Sequence, residues 1–164
     1  MDKKYEVTNE TIKVDGYTLH RIKALRDFGN VKKGELGGFI ESETNLAHDG
    51  LCWVFNNAKV YGNAIVSGNA NVSNNATVCD NANVYENADI FGDAYVSGHA
   101  RVYGDAIMRD HSKALGDSVI CNNTILSDNV TVSGDAMLSG NGEISGNIHI
   151  CRGTMLNTTT NDQE

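Results

Sequence analysis

From Val54 onward an apolar residue recurs at every sixth position. The series runs Val54, Val60, Val66, Val72, Val78, Val84, Ile90, Val96, Val102, Met108, Ala114, Ile120, Leu126, Val132, Leu138, Ile144, Ile150 and Leu156. The chain is 40% apolar, so eighteen such positions in unbroken phase would arise by chance roughly once in ten million tries. Two residues before each stands a small or modest residue. It is Ala in ten of the eighteen cases, and otherwise Cys52, Ser112, Ser118, Thr124, Val130, Gly142, Ile148 or Thr154. A spacing of two places both side chains on one side of a strand. Each hexad therefore reads as a very short strand with one small and one large inward residue.

The remaining positions make corners. Pairs such as Gly62-Asn63, Gly68-Asn69, Asn74-Asn75, Asp80-Asn81, Gly92-Asp93, Gly104-Asp105 and Gly116-Asp117 recur between the strands. Gly, Asn and Asp accept the positive φ that turns a chain sharply. A short strand and a two-residue corner, repeated, make a coil rather than a row of hairpins. Composition agrees: Gly counts 17, Asn 20 and aromatics only 7%, while proline is absent. Without proline, every strand keeps its N–H for the ladder to neighbouring coils. Collagen is excluded because Gly does not occupy every third position, and disorder because Val and Ile are plentiful.

The pattern Val-x-Gly-Asn-Ala-x resembles the hexapeptide repeat of left-handed parallel β-helices. That resemblance implies three hexads per triangular coil of 18 residues, and a left-handed winding that departs from the usual right-handed crossover. It covers Cys52 to Leu156 and reaches back through Leu46 and Ile40, which hold the same inward phase. The expected fold is all-β: a left-handed parallel β-helix of about six to seven coils, roughly 30 Å long.

The first 38 residues differ. Thr11-Ile12-Lys13-Val14 and Tyr17-Thr18-Leu19-His20 flank Asp15-Gly16, a strong hairpin signal, and the second strand continues toward Leu25. Open strand edges pair with other chains unless covered. Residues 1–38 are therefore expected to form a small β-hairpin cap, residues 39–156 the helix, and 157–164 a polar tail that leaves the far end open to end-to-end association.

Charge divides the same way. Residues 1–38 carry eight Lys/Arg and six Asp/Glu; residues 39–164 carry five and fifteen, which together give the net −8. An acidic rod does not suit phosphate backbones, so direct nucleic-acid binding is not expected. A solvated surface accounts for the charge better than nucleic-acid mimicry. No run of about 18 apolar residues indicates a membrane span, and the opening MDKKYEVTNE has no signal-peptide character. Cys52 falls inward, Cys79 and Cys151 share a face about 19 Å apart, and Cys121 lies on another face. No pair reaches disulfide geometry, so free thiols and a cytoplasmic location are expected, with no metal and no cofactor.

Hexapeptide β-helices are best known in acyl-CoA- and acyl-carrier-dependent transferases and in some carbonic anhydrases. The resemblance implies sites between subunits, with a catalytic His near a loop that breaks the coils. Here no loop interrupts the hexads. His99 and His111 hold corner positions, stacked on Asp117 and on Asp93 respectively, and would supply the general base if the chain were an acyltransferase. A plain corner role is favoured for both. His149 is outward, His20 lies in the cap, and His48 holds inward phase where the coils begin.

An 18-residue coil sorts the outward positions into three faces. One is mostly polar, with Lys59, Tyr61, Thr77, Cys79, Tyr95, Lys113, Leu115, Thr131, Ser133 and His149. A second carries Trp53, Phe55, Phe91, Ile107 and Ile125, of which Trp53 and Phe55 are expected to pack under the cap. The third carries Tyr85, Arg101, Tyr103, Val119, Cys121, Met137 and Met155. Val119, Met137 and Met155 are expected in one column, and Tyr85, Tyr103 and Cys121 in the next. Met and Tyr on an exposed sheet face are typical of interfaces.

The segments Leu25-Arg26-Asp27-Phe28-Gly29 and Leu36-Gly37-Gly38-Phe39-Ile40, followed by Asn45-Leu46, resemble the opening of phage and prophage proteins labelled hexapeptide transferases or polymer-forming proteins. The functional expectation is a non-catalytic oligomeric binding protein of that type, a trimer or dimer. It would antagonise host defence by binding a host protein or sequestering a signalling nucleotide. Acyl transfer and a structural polymer are the alternatives.

Overall fold

A computed structural model describes residues 2–157. Its elements are β-strands apart from one short 3-10 turn, Glu43–Asn45. Strand β1 (Tyr5–Val14) pairs antiparallel with β2 (Tyr17–Ala24) through the Asp15-Gly16 turn. The hairpin is longer than the sequence signal, and β2 pairs antiparallel with β3 (Leu36–Ile40). Strand β3 then pairs parallel with Lys59–Val60 and opens the coils. The hairpin is thus a continuation of one solenoid face, which runs on through about six parallel steps to His149–Ile150.

The coils form a parallel β-solenoid. Most strands are two residues long, as in Lys59–Val60 and Thr77–Val78, because the hexad leaves only that length between corners. Tyr95 pairs with Lys113 and Val96 with Ala114, the 18-residue register. Inward Val and Ala form continuous buried columns: Val60, Val78, Val96 and Val132 are wholly excluded from solvent, and so are Ala58, Ala76 and Ala82. Burial of stacked small side chains supplies the apolar driving force that the few aromatics do not. Val119–Leu126 and Met137–Ile144 stay paired across their corner, although Asn122 is left-handed there, and join two faces into one sheet.

Corners repeat a left-handed residue followed by Asn, Asp or His. Where that first residue carries a side chain, it often reaches the next coil. Glu86 (φ 59) accepts the Gly104 N–H at 2.9 Å, and Asp80 (φ 60) accepts the Gly98 N–H at 3.0 Å. At Gly104 a Cβ would sit 2.7 Å from the Asn122 backbone nitrogen, so only glycine fits beneath Glu86. The second corner position builds amide ladders: Asn69 Nδ2 donates to Asn87 Oδ1 at 3.1 Å, and Asn87 Nδ2 to Asp105 Oδ1 at 3.0 Å.

The 18-residue register fails at both ends. Ile40 pairs with Val60 and Leu46 with Val66, two residues more than in the later coils. Ile40 and Leu46 therefore fill the large inward slot rather than the small one implied by counting back from Cys52. Both remain wholly buried, because a shift of two returns a side chain to the same side. At the far end Met137 pairs with Thr154 and Leu138 with Met155. That coil is one residue short, closed by Gly153 at φ 86. A slip of one exchanges inward and outward positions. Met155 consequently stands opposite the buried Leu138, not in the Val119–Met137 column, and Leu156 stands opposite Ser139. The expected tail, 157–164, lies outside the described residues except for Asn157.

Candidate functional site

The third face is built from strands Asn83–Val84, Arg101–Val102, the start of Val119–Leu126 and the start of Met137–Ile144. Asn83 pairs with Arg101, Arg101 with Val119, and Val119 with Met137, so these four form one outward column. Two residues on, Tyr85 and Tyr103 stack with ring centroids 4.8 Å apart and planes 9° from parallel. One coil further, Cys121 continues their column. The stack exists because an 18-residue coil places identical aromatic residues one strand spacing apart.

Burial grades across this face. Val119 is 8% exposed and Cys121 only 2%, the Cys121 thiol lying 3.7 Å from the Leu138 carbonyl oxygen. Tyr85, Tyr103 and Met137 are half-buried, and Arg101 is exposed. The Cys121 thiol pushes the Tyr103 hydroxyl up, with burial adding to it. Burial pushes Tyr85 up, against the opposing pull of the Arg101 guanidinium. Both phenols stay neutral at physiological pH, so the face offers apolar rings, two hydroxyls and one cation. Such a surface buries apolar area on association while Arg101 supplies a directional charge.

The second face is not one patch. Trp53 is wholly buried and belongs to the core, in edge contact with Tyr5 at 6.0 Å and Phe28 at 5.2 Å. Phe55 packs half-buried against the same core. Ile107 pairs with Ile125 further down, but Asn71 and Asp89 interrupt the column between Trp53 and Ile107. Phe91 is half-buried in the neighbouring column. At the lower end Glu143 accepts hydrogen bonds from the Ser127 hydroxyl at 2.5 Å and from Arg109 at 2.7 Å, and both hold its carboxyl below the usual range.

The histidines occupy the corners expected of them. His111 Nδ1 lies 3.7 Å from Asp93 Oδ2, with its side chain 64% exposed. His99 lines a shallow recess of about 400 Å³ with Asn81, Asn83, Arg101 and Asp117. His48 leaves the inward phase because of the two extra residues. It stacks on Tyr5 at 4.3 Å and accepts the Lys4 backbone N–H at 3.2 Å. Among the described residues no three or more His, Cys, Asp or Glu side chains converge as a metal site would require, and no helix is long and apolar enough to cross a membrane.

Two arrangements escaped the sequence reading. The hairpin covers part of the first face: Tyr61 and Cys79 are buried with Leu19 and Phe39, and the Tyr61 hydroxyl donates to Asp15 at 2.8 Å. The Asp15-Gly16 turn signalled the hairpin but not where its tip would rest. The second is Lys4, which is wholly buried beside Cys52. In MDKKYEVT nothing distinguishes Lys4 from the exposed Lys3.

Comparison with known families adds the repeat itself. Residues 58–74 and 94–110 match the YdcK Beta solenoid repeat. Both stretches lie in regular coils, where Ala-x-Val recurs apart from Ala106-x-Met108 and the corners read Gly-Asn or Gly-Asp apart from Gly98-His99. No curated protein matches the chain.

Proposed function

We propose that this chain is a non-catalytic binding protein that self-associates through the third face. The observation that carries the reading is the Tyr85–Tyr103 stack beside the Arg101–Val119–Met137 column. A flat face with paired aromatic rings, a Met and one Arg has the composition of an interface core. The wider role in this proposal is that of a phage or prophage protein of the hexapeptide-repeat superfamily, whose oligomer binds a host protein or a signalling nucleotide. Its support is the resemblance of the Leu25–Ile40 opening and of the hexads.

The test is Met137→Glu. Met137 is half-buried and outward, so a carboxylate there leaves the inward columns intact. Light scattering should give a trimer or dimer for the native chain and a monomer for the variant, with unchanged circular dichroism. The same mass for both proteins would refute the face.

A second reading, acyl-CoA-dependent transfer, draws on the 3.7 Å approach of His111 to Asp93. Turnover of acetyl-CoA that is lost in His111→Ala or His99→Ala would establish it in place of the first. A third, a structural polymer, draws on the apolar far end, where Ile148 is 44% exposed. A discrete particle mass, independent of concentration, would rule it out.

A further inference from the structure

Lys4 and Cys52 meet inside the junction between cap and coils. The Lys4 ammonium nitrogen lies 3.2 Å from Cys52 Sγ, 2.8 Å from the Cys52 carbonyl oxygen and 3.4 Å from the Asp49 carbonyl oxygen. It also sits 5.1 Å from the centre of the Phe28 ring. Both residues are wholly excluded from solvent. A lysine sealed in this way, with a thiol as its only side-chain hydrogen-bond partner among the described residues, is an unusual use of a charged residue.

We propose that Lys4 and Cys52 are a covalent modification site, at which peroxide oxidation joins Nζ to Sγ and staples the N-terminal segment to the first coil. In the first step the sulfur attacks hydrogen peroxide. The O–O bond breaks, an S–O bond forms, and Cys52 becomes a sulfenic acid with release of water. In the second step the neutral Lys4 amine attacks that sulfur. The S–N bond forms, the S–O bond breaks, and hydroxide leaves with an amine proton as a second water. One thiol, one amine and one peroxide give one sulfenamide and two waters; sulfur is oxidised by two electrons and peroxide is reduced.

The surroundings bear on the two steps differently. Burial holds the Cys52 thiol above its usual value and keeps peroxide out while the junction is closed, so the first step requires the N-terminal segment to open and admit the oxidant. Burial also holds the Lys4 amine below its own usual value, which favours the neutral amine that attacks in the second step. Once the junction recloses, other thiols are kept from the sulfenic acid. The remaining cysteines are internal controls. Cys79 has the Tyr95 hydroxyl at 3.2 Å rather than an amine, Cys121 has the Leu138 carbonyl oxygen, and Cys151 is exposed.

The experiment treats the folded chain with hydrogen peroxide, quenches with catalase, and reads intact mass and peptide maps. The expected product is a loss of about 2 Da in a species whose Lys4 and Cys52 peptides are joined, reversed by dithiothreitol. Cys52→Ala should fold, since Ala fills the equivalent slot in ten hexads, and should not give the product. Lys4→Met should fill the same space and leave Cys52 without a bridge. The bridged form should melt at a higher temperature than the reduced form. Oxygen adducts on Cys52 with Lys4 free, or an oxygen atom retained between the two, would overturn the proposal. So would equal yield from urea-unfolded protein, because the folded geometry would then play no part.

Discussion

The two ends of the solenoid break the 18-residue register in opposite ways. The first coil is two residues too long, and Ile40 and Leu46 stay buried. The last is one residue short, and inward and outward positions exchange between Leu138 and Met155. An even change costs only a local bulge, whereas an odd one reverses every side chain beyond it. Burial follows. Trp53, Tyr5 and Ile22 at the capped end are wholly enclosed, while Ile144 and Ile150 at the far end are half-buried and Ile148 is 44% exposed. The capped end adds a plug of aromatic rings, Tyr5, Phe28 and Trp53, to the inward Ile40, Leu46 and Cys52.

Trp53→Ala should have the largest effect. It removes the central ring of that plug and leaves a cavity among Tyr5, Phe28 and Ile22, at a cost of about 3–5 kcal/mol. Ile150→Ala removes a half-buried side chain and should cost about 1 kcal/mol. Urea melts of both variants measure the contrast. Equal losses would mean that the capped end is no better enclosed than the far one. Amide exchange sharpens the same comparison, with Thr131–Val132 and His149–Ile150 expected to open before Lys59–Val60 and Thr77–Val78.

Asp80→Ala comes next. Asp80 accepts the Gly98 N–H from the following coil, and no neighbouring strand supplies that acceptor. Losing the bond at an exposed corner should cost about 1 kcal/mol, while Asp80→Asn, which keeps an acceptor and tolerates positive φ, should cost less. Thermal melts of the two variants decide it. Equal losses would assign the effect to the lost carboxylate charge rather than to the bond or to backbone strain.

What the sequence made legible follows from the period. Hexads place side chains by counting, so the Tyr85–Tyr103 stack, the His111–Asp93 approach and the inward Ala and Val columns could all be read directly. Counting carries no information on where a coil gains or loses residues. The segment from Ala47 to Leu51 hid two extra positions and Cys151 to Gly153 one missing one, and the second moved Met155 out of its expected column. The cap has no period, so the burial of Trp53, of Lys4 and of Tyr61 beneath the hairpin depends on tertiary packing alone.

The smallest effect belongs to the trio of Ser127, Arg109 and Glu143 near the far end. The Ser127 hydroxyl and the Arg109 guanidinium hold the Glu143 carboxyl below its ordinary value of 4.5. A depressed carboxyl contributes stability that is present above its unfolded value and lost as pH falls through its folded one. Arg109→Met should therefore lower the urea midpoint slightly at pH 7, with a deficit that shrinks toward pH 2 as Glu143 takes up its proton. Ser127 is buried and its bond remains in the variant, so part of the depression should persist. A deficit of the same size at both pH values would assign Arg109's contribution to the packing of its stem against the second face rather than to its charge.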